Sequence, residues 1–354
     1  MTKINTLALA CLLYSLFPPF GSAQSSNNQN TDQTRERYLT PEDKRDASLG
    51  REITDGVVMS WLVETEYQRL WEDYGDSDAT LDPEVVYTVQ LASEIDLADW
   101  LVLELVAEAE KDRQWRSQLE EGILAWEWNN WSADVGRLYV PFGEYYSQFI
   151  SDIALEAGES RGTGLVVDYN VGDSIEVSSF FLRHDDNRAR QDKNDWGLNI
   201  AYQPEDIDLR VAVGYLSAIV EDDDDLRKIY DSQVKLDHAW TASVLLSIAD
   251  WLITAESLRA ERRGADLPSN LQTFKSTNVE IGYYGIRDFR FSLRHQSNNG
   301  TLSSPERQFG IGVNWVSAFN FSLSLEYLWN TYPRHEEVDI RKAKELNLGL
   351  VIEF

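Results

Sequence analysis

The sequence predicts an all-β fold: a transmembrane antiparallel β-barrel of sixteen strands with short periplasmic turns and long extracellular loops. Segments of alternating apolar and polar residues follow one another from Glu52 to the last residue, and most have about the ten residues that a tilted membrane strand needs. The connections between them alternate between short and long, which is typical of outer-membrane barrels and is not expected of a soluble sandwich. No helical period is sustained long enough to compete.

The chain divides into three predicted parts. Residues 1–23 contain a basic residue, an apolar run and then small residues, which is the layout of a secretory signal peptide cleaved after Ala23. Pro18 interrupts the apolar run too early for a membrane-spanning helix, which needs about 20 apolar residues. Residues 24–50 are polar and predict a disordered or weakly ordered periplasmic leader. The β-barrel is predicted for residues 51–354.

Charge and cysteine content exclude some partners and stabilising features. Cys11 is the only cysteine and leaves with the signal peptide, so disulfides do not stabilise the mature chain. The full chain has 32 basic and 60 acidic residues and a net charge of −28. This balance argues against nucleic acid and anionic surfaces as partners.

The sixteen predicted strands are defined to within a few residues at their edges. They cover residues 55–66, 84–95, 100–110, 119–128, 132–140, 163–170, 174–182, 195–203, 208–218, 239–248, 251–261, 275–285, 288–296, 307–316, 319–329 and 345–354. Seven short and eight long connections join them in strict alternation, and the segment KDRQWRSQ (residues 111–118) is one of the long ones. Such an alternation places both ends of the barrel chain in the periplasm.

The last strand shows the two faces of a barrel wall. The predicted lipid face holds Leu346, Leu348, Leu350, Ile352 and Phe354, and the predicted lumen face holds Glu345, Asn347, Gly349, Val351 and Glu353. A terminal aromatic such as Phe354 resembles the signal that the barrel assembly machinery recognises, so we expect Phe354 to act in assembly. Aromatic residues at the strand ends predict two interfacial girdles. The periplasmic girdle comprises Trp100, Trp128, Trp131, Trp251, Phe289, Phe319 and Phe321, and the outer girdle comprises Tyr67, Trp71, Trp196, Tyr327, Trp329 and Tyr332.

The connection after the fifth strand carries the most informative motif. Val140 and Pro141 end the strand, because proline has no ladder donor, and Gly143 lets the chain turn back. The run GRLYVPFG (residues 136–143), followed by SDIALEAGESR (residues 151–161), resembles the LbtU family of siderophore porins. The short P-F-G turn also resembles phosphate-selective porins, and the second segment favours the siderophore family.

This resemblance implies passive uptake of a ferric siderophore, without a plug domain, through a pore constricted by the inward-folded loop 141–162. Ile153 stands where the family has a proline after the aspartate, and the leader offers little periplasmic domain, so the solute is left open. A β-bulge near Gly136 would turn Arg137 from the lipid side into the pore, and a misassigned strand phase would explain the same pattern.

The polar phase of the strands predicts an acidic lumen. The lumen acids are Glu64, Glu104, Glu108, Asp168, Glu176, Glu256, Glu280, Glu326 and Glu353. The residues predicted for the constriction and the solute path are Arg137, Glu144, Asp152, Glu156, Glu159, Arg161, Arg210, Arg290 and Arg294. An excess of acids favours cations in a narrow channel, or simply solvates a wide one. An acidic lumen therefore suits a general cation-preferring porin better than a pore for an anionic ferric complex.

The remaining function classes find little support. The histidines His184, His238, His295 and His335 lie in or near different external loops, and no G-x-S-x-G motif is present, so the chain is not expected to be an enzyme. No cofactor or metal is expected, since the acidic run 221–225 lacks the spacing of a calcium loop and is typical of a solvated charge run. The expected surroundings are outer-membrane lipid, lipopolysaccharide and a small-molecule solute. A homotrimer, and a structural or adhesive barrel without transport, are left open.

Overall fold

A computed structural model describes residues 50–354 except 75–76, 112–113, 152–157, 185–193, 220–234, 264–266, 303, 318–319 and 334–339. The predicted signal peptide and nearly all of the leader lie outside the described residues. Eighteen strands are found in the described part of the chain. They are β1 (Arg51–Thr54), β2 (Val57–Asp73), β3 (Asp78–Thr80), β4 (Glu84–Ala98), β5 (Leu101–Lys111), β6 (Trp115–Trp128), β7 (Trp131–Tyr139), β8 (Arg161–Val171), β9 (Ile175–His184), β10 (Asn194–Tyr202), β11 (Leu209–Ile219), β12 (Lys235–Ile248), β13 (Trp251–Arg263), β14 (Thr273–Ile286), β15 (Phe289–Asn299), β16 (Arg307–Val316), β17 (Phe321–Thr331) and β18 (Lys342–Glu353).

Sixteen of these strands, β2 and β4 to β18, form one closed barrel. Each barrel strand pairs antiparallel with its neighbours in the chain, and β18 pairs with β2 to complete the ring. The ladder continues to the last residue, because Phe354 exchanges two backbone hydrogen bonds with Trp61 (3.0 and 2.9 Å). The predicted fold class is confirmed.

The two remaining strands are short additions to β2. The strand β1 folds back on β2 through a turn at Asp55 and Gly56, where Gly56 has a φ of 71°. The strand β3 pairs with the opposite end of β2. The first barrel strand therefore begins at Val57 and ends at Asp73, well beyond the predicted end at residue 66.

One predicted long connection is wrong. The strands β5 and β6 leave only residues 112–114 between them, and Lys111 pairs directly with Trp115. The second half of the segment KDRQWRSQ, residues 115–118, thus belongs to the strand β6. Its register places Arg116 and Gln118 opposite the lumen-facing Glu110 and Glu108, so its polar residues are the lumen phase of a strand. The alternation of short and long connections has this one exception.

The strands bury and expose alternate residues, as a barrel wall requires. In β18 the lumen-facing Glu345, Asn347 and Gly349 are buried, while Leu348 is exposed on the outside, so the predicted faces of this strand are confirmed. In β14 the same rule buries Ser276, Asn278 and Glu280 and exposes alternate residues. The outer surface of these strands is therefore largely apolar, and the inner surface is largely polar.

Aromatic side chains lie at the strand ends, on the outside. Exposed aromatics of the predicted girdles include Trp100, Trp128, Trp131, Trp251, Phe289, Trp196 and Trp329. Several are in contact with a neighbour, as in Trp131 with Tyr169 (4.5 Å between ring centroids). Phe319 of the predicted periplasmic girdle lies outside the described residues. The described residues contain no helix that has the length and hydropathy to cross a membrane.

Gly136 in β7 provides a test of strand packing. Its φ of 146° is rare for residues with a side chain, and a Cβ at this position would lie 2.0 Å from the carbonyl oxygen of Gly122. We expect Gly136→Ala to lower the free energy of unfolding by about 2 kcal/mol or more, since backbone strain and a clash add. Urea unfolding of the refolded barrel, followed by tryptophan fluorescence, measures this change.

The matched control is Gly172→Asn, at a turn glycine with a φ of 64° where a Cβ would have no atom within 4 Å. Asparagine tolerates this left-handed conformation, so the control is expected to unfold like the parent protein. Equal stability of Gly136→Ala and the parent would show that β7 and β6 can separate at this point.

Candidate functional site

The β7–β8 loop (residues 140–160) is the long connection on which the functional predictions depend. The strand β7 ends at Tyr139, immediately before Val140 and Pro141, as predicted. The loop base is closed by a hydrogen bond from the Val140 amide to the Ser160 carbonyl (3.0 Å). Gly143 then turns the chain with a φ of 85°, a backbone conformation that favours glycine. A side chain would not fit here, because a Cβ would lie 2.6 Å from the Tyr145 ring.

The first loop residues pack into an apolar cluster on the inner side of the wall. Phe142 (1% exposed) and Tyr145 are buried against inward-facing side chains of strands β6 to β14. The other members are Ile123, Leu138, Val140, Val166, Phe180, Leu182, Leu216, Ile219, Ala239, Leu258, Ala260 and Phe274. Burial of these apolar side chains stabilises the first part of the loop against the barrel wall.

Three carboxylates of the strands β13, β14 and β17 accept backbone N–H groups of the loop. Glu256 of β13 accepts from Glu144 (3.2 Å), and Glu280 of β14 accepts from Gln148 (2.7 Å). Glu326 of β17 accepts from the Ile150 amide. Backbone N–H groups that are removed from water need acceptors, and a charged acceptor makes the stronger bond. The described part of the loop therefore lies inside the barrel, against the wall of β11 to β17.

Arg294 of β15 is held beneath this loop. Its guanidinium pairs with Glu280 (Nη2 to Oε1, 2.7 Å), and both side chains are fully buried (0% exposed). It also donates to the Ser151 carbonyl and the Ser147 hydroxyl, and it lies over the Phe149 ring at 4.4 Å. Arg294 was predicted to face the solute path, and in the structure the loop residues Ser147, Phe149 and Ser151 cover it.

The other two wall arginines differ in their surroundings. Arg210 of β11 donates to Glu144 of the loop (2.9 Å) and lies 3.5 Å from Glu176. Glu144 and Arg210, both predicted for the constriction and the solute path, are thus in direct contact. Arg290 lies over the Tyr284 ring at 5.5 Å, and the Tyr284 hydroxyl donates to the Gln148 side chain (3.1 Å).

The loop returns to the wall at a second charged cluster. Arg161, the first residue of β8, pairs with Glu120 of β6 and donates to the Tyr139 hydroxyl (3.0 Å), which itself donates to Glu120. Glu120 occupies a register shift of β6, between the pairs of Val106 and Ala107. The register of β7 is unbroken at Gly136 and Arg137, so the bulge predicted near Gly136 is not found there, and the shift at Glu120 is a separate irregularity that sequence reasoning missed.

The remaining predicted residues are placed as follows. Arg137 pairs with Thr163 in the register, on the same phase as Val135, which is exposed on the outside. Glu159 is exposed, and Asp152 and Glu156 lie outside the described residues. The acidic run 221–225 and His335 also lie outside them. The other three histidines lie on three different strands, and no group of metal-ligating side chains is found in the described ranges.

The wall that faces the loop across the barrel is acidic. The register of β2, β4, β5 and β6 places these acids on the lumen phase: Glu64, Glu66, Glu72, Glu84, Glu94, Asp96, Glu104, Glu108, Glu110 and Glu121. Glu94 and Glu104 are direct cross-strand partners, and Gln90 donates to Glu108 (2.8 Å). Arg116 is the one basic residue on this phase of the four strands as described. Sequence reasoning missed Glu72 because it ended the first strand too early.

Comparison with known proteins identifies the fold but no family. No protein-family model and no curated protein matches the sequence. OmpF of Salmonella typhi, solved in complex with daunomycin, has a TM-score of 0.63 at 12% identity, over 85% of this chain and 98% of that one. An anion-selective porin from Comamonas acidovorans has a TM-score of 0.60 at 11% identity, over 84% and 99%.

A third solved structure adds an oligomeric form. The in-vitro folded OmpT of Vibrio cholerae, an outer-membrane protein described as a trimer, has a TM-score of 0.56 at 15% identity, over 84% of this chain and 99% of that one. At these identities, the likeness to all three shows a shared fold, the closed sixteen-stranded antiparallel barrel.

The pair of Arg294 and Glu280 provides a test of how the loop is held. Arg294→Met leaves the Glu280 carboxylate buried without its partner, and we expect a loss of about 3–5 kcal/mol in the free energy of unfolding. The double variant Arg294→Met with Glu280→Gln removes the uncompensated charge and should recover part of the loss. Urea unfolding in detergent measures both.

The matched control is Arg287→Gln, in an exposed turn where the side chain is 92% exposed and 3.7 Å from Asp288. A pair of this kind contributes little, so no measurable change is expected. If Arg294→Met were as stable as the Arg287 control, the buried pair would not hold the loop.

Proposed function

We propose that the chain is an outer-membrane, porin-type channel for passive diffusion. The exterior supports this location, because apolar residues face outward between two aromatic rows, as lipid requires. The lumen is lined by polar and charged residues on the other phase of the same strands. The shared fold with solved porins agrees with this proposal.

The single observation that carries the mechanism is the set of contacts between the loop and the far wall. Hydrogen bonds to Glu256, Glu280 and Glu326 hold the described loop against β13 to β17. The open passage then lies between the loop and the acidic wall of β2 to β6, and the loop narrows it. Half-exposed carboxylates such as Glu64, Glu104 and Glu108 line this passage.

The charge of this passage favours cations. Arg116 is the one basic residue described among the acids of this wall, while Arg210 and Arg294 are engaged with Glu144 and Glu280 on the loop side. Carboxylates that line a narrow channel with low-dielectric walls attract cations and repel anions. A cation-preferring diffusion porin is therefore the function that the geometry supports best.

Passage of a ferric siderophore is the second candidate, favoured by the loop motif. In the structure, Leu138, Val140 and Phe142 of that motif are buried in the apolar cluster, where they seat the loop. The motif therefore supports a porin with a fixed loop, and the acidic wall limits the iron complexes to neutral or cationic ones.

Trimer formation and the assembly role of Phe354 remain predictions, and the aromatic side chain of Phe354 is exposed where another protein could contact it.

Conductance tests the first function. Purified protein in planar bilayers should give discrete steps with a reversal potential of cation-selective sign. Deletion of residues 144–159 removes the loop from the passage and four of its acids, so we expect higher single-channel conductance and a weaker cation preference. A folded parent barrel without steps would support a closed structural or adhesive barrel.

Two controls separate loop and wall. Replacing Glu64, Glu104 and Glu108 by glutamine should weaken the cation preference with little change in conductance, since the side chains keep their size. Shortening the acidic segment 222–225 should alter selectivity little. A loop deletion with unchanged conductance would place the loop outside the passage.

Solute uptake tests the second function. A deletion strain should lose uptake of labelled neutral or cationic ferric siderophores and regain it with the parent gene. If the chain is a general pore, we expect the loop-deleted variant to restore uptake in the deletion strain. The same strain should also admit more antibiotic. Uptake of ferric complexes that is independent of this gene would exclude the siderophore role.

A further inference from the structure

Basic side chains gather on the outside of the barrel, at the end of the barrel where the long connections lie. The register puts them on the outward phase, alternating with lumen-facing residues. They are Arg69, Lys111, Arg183, Arg259, Lys275, Arg307, Lys342 and Lys344. Two acidic side chains, Asp73 and Glu261, are described on the same phase at these ends. This distribution is opposite to that of the whole chain, whose net charge is −28.

Four of these cations form one patch on adjacent strands, which we call the outer basic patch: Arg307 of β16, Lys342 and Lys344 of β18, and Arg69 of β2. All four side chains are exposed. Thr331 pairs with both Arg307 and Lys342, which places these two cations two strands apart in one row.

Aromatic rings stand among the cations of the patch. Lys344 pairs in the register with Trp329 on one side and Trp71 on the other. Arg69 lies over the Trp71 ring at 5.3 Å. Trp329 in turn contacts Phe309 (5.6 Å) and Tyr327 (4.7 Å). Tryptophan and tyrosine prefer the level of lipid headgroups, so the aromatic rings set the depth of the cations next to them.

Exposed arginine and lysine at this depth need anionic partners. A basic side chain on a lipid-facing wall is costly near the bilayer centre and tolerated at the interface. In the patch, Asp73 is the register partner of Lys342 on the same face, so the patch holds one acidic side chain beside its four basic ones. The remaining excess is positive, and it lies at the outer ends of the strands.

We propose that the outer basic patch binds the phosphate groups of lipopolysaccharide in the outer leaflet. Arginine and lysine recognise phosphate through charge-assisted hydrogen bonds, and the aromatic rings contact the adjoining sugar and acyl chains. A second copy of the chain fits the patch less well, because such a contact needs an acidic exterior surface and the described outward phase at these ends offers only Asp73 and Glu261. This inference rests on the proposed outer-membrane location.

The test measures binding of lipopolysaccharide to the purified full-length barrel in detergent. The variant combines Arg69→Gln and Lys344→Gln, and the control combines Arg51→Gln and Arg287→Gln, two exposed arginines at the opposite end of the barrel. Each basic residue near an anionic lipid surface contributes about a fivefold preference, so the variant should bind at least about tenfold more weakly, with the control unchanged. Enzymatically dephosphorylated lipopolysaccharide should bind the parent as weakly as intact lipopolysaccharide binds the variant.

Two outcomes would count against the proposal. Equal affinity of the parent for intact and dephosphorylated lipopolysaccharide would overturn it, and this arm needs no variant to fold. An unchanged affinity of the double variant, together with an altered oligomeric state, would assign the patch to contacts between copies. Conductance of the double variant in phosphatidylcholine bilayers should equal that of the parent. Loss of channel activity in the parent itself would contradict the proposed function and leave the lipopolysaccharide result to stand by its own measurement.

Discussion

The pairing of β18 with β2 is the constraint on which the rest of the structure depends. In lipid, every backbone N–H and C=O must find a partner within the protein, and a sheet meets this demand only when it has no edge. Pairs from Lys342 with Asp73 to Glu353 with Leu62 close the ring over the full length of β18. Because the side-chain period is two, this register also decides which residue faces lipid and which faces the lumen. A slip of one residue would turn Glu64 and Glu66 into the bilayer.

The same register places the carboxylates that hold the loop. Glu256, Glu280 and Glu326 stand on three strands of the far wall, and each meets a backbone N–H of the loop. Their burial would be unfavourable without these bonds and without Arg294, which neutralises Glu280. Loop and wall are therefore mutually dependent: the loop supplies donors for buried acids, and the acids supply acceptors for a backbone that has left the sheet.

Local patterns could predict the strands because the period of two is written in adjacent residues. All sixteen predicted segments overlap barrel strands, and the alternation predicted for β18 is correct from Glu345 to Gly349. What failed depends on distant parts of the chain. Arg294 has the phase of a lumen residue, and only the position of Phe149 and Ser151 shows that it is covered. Glu120 lies at a bulge that arises where β6 pairs with β5, and no pattern within the β6 sequence predicts it.

Net charge was the least informative quantity for predicting partners, because a barrel separates its charges by surface. The negative total argued against anionic partners, yet Lys344 and Arg69 stand outside at the outer end, while Glu104 and Glu108 stand on the lumen phase. The wall between the two sets has a low dielectric constant, but each set faces its own polar medium, water in the lumen and headgroups outside. Opposite charges in such an arrangement do not need to pair with one another. In the proposed function, each surface selects its own partner by charge, cations in the lumen and phosphates on the outside. The charges can be assigned to a surface only when the phase of each strand is known.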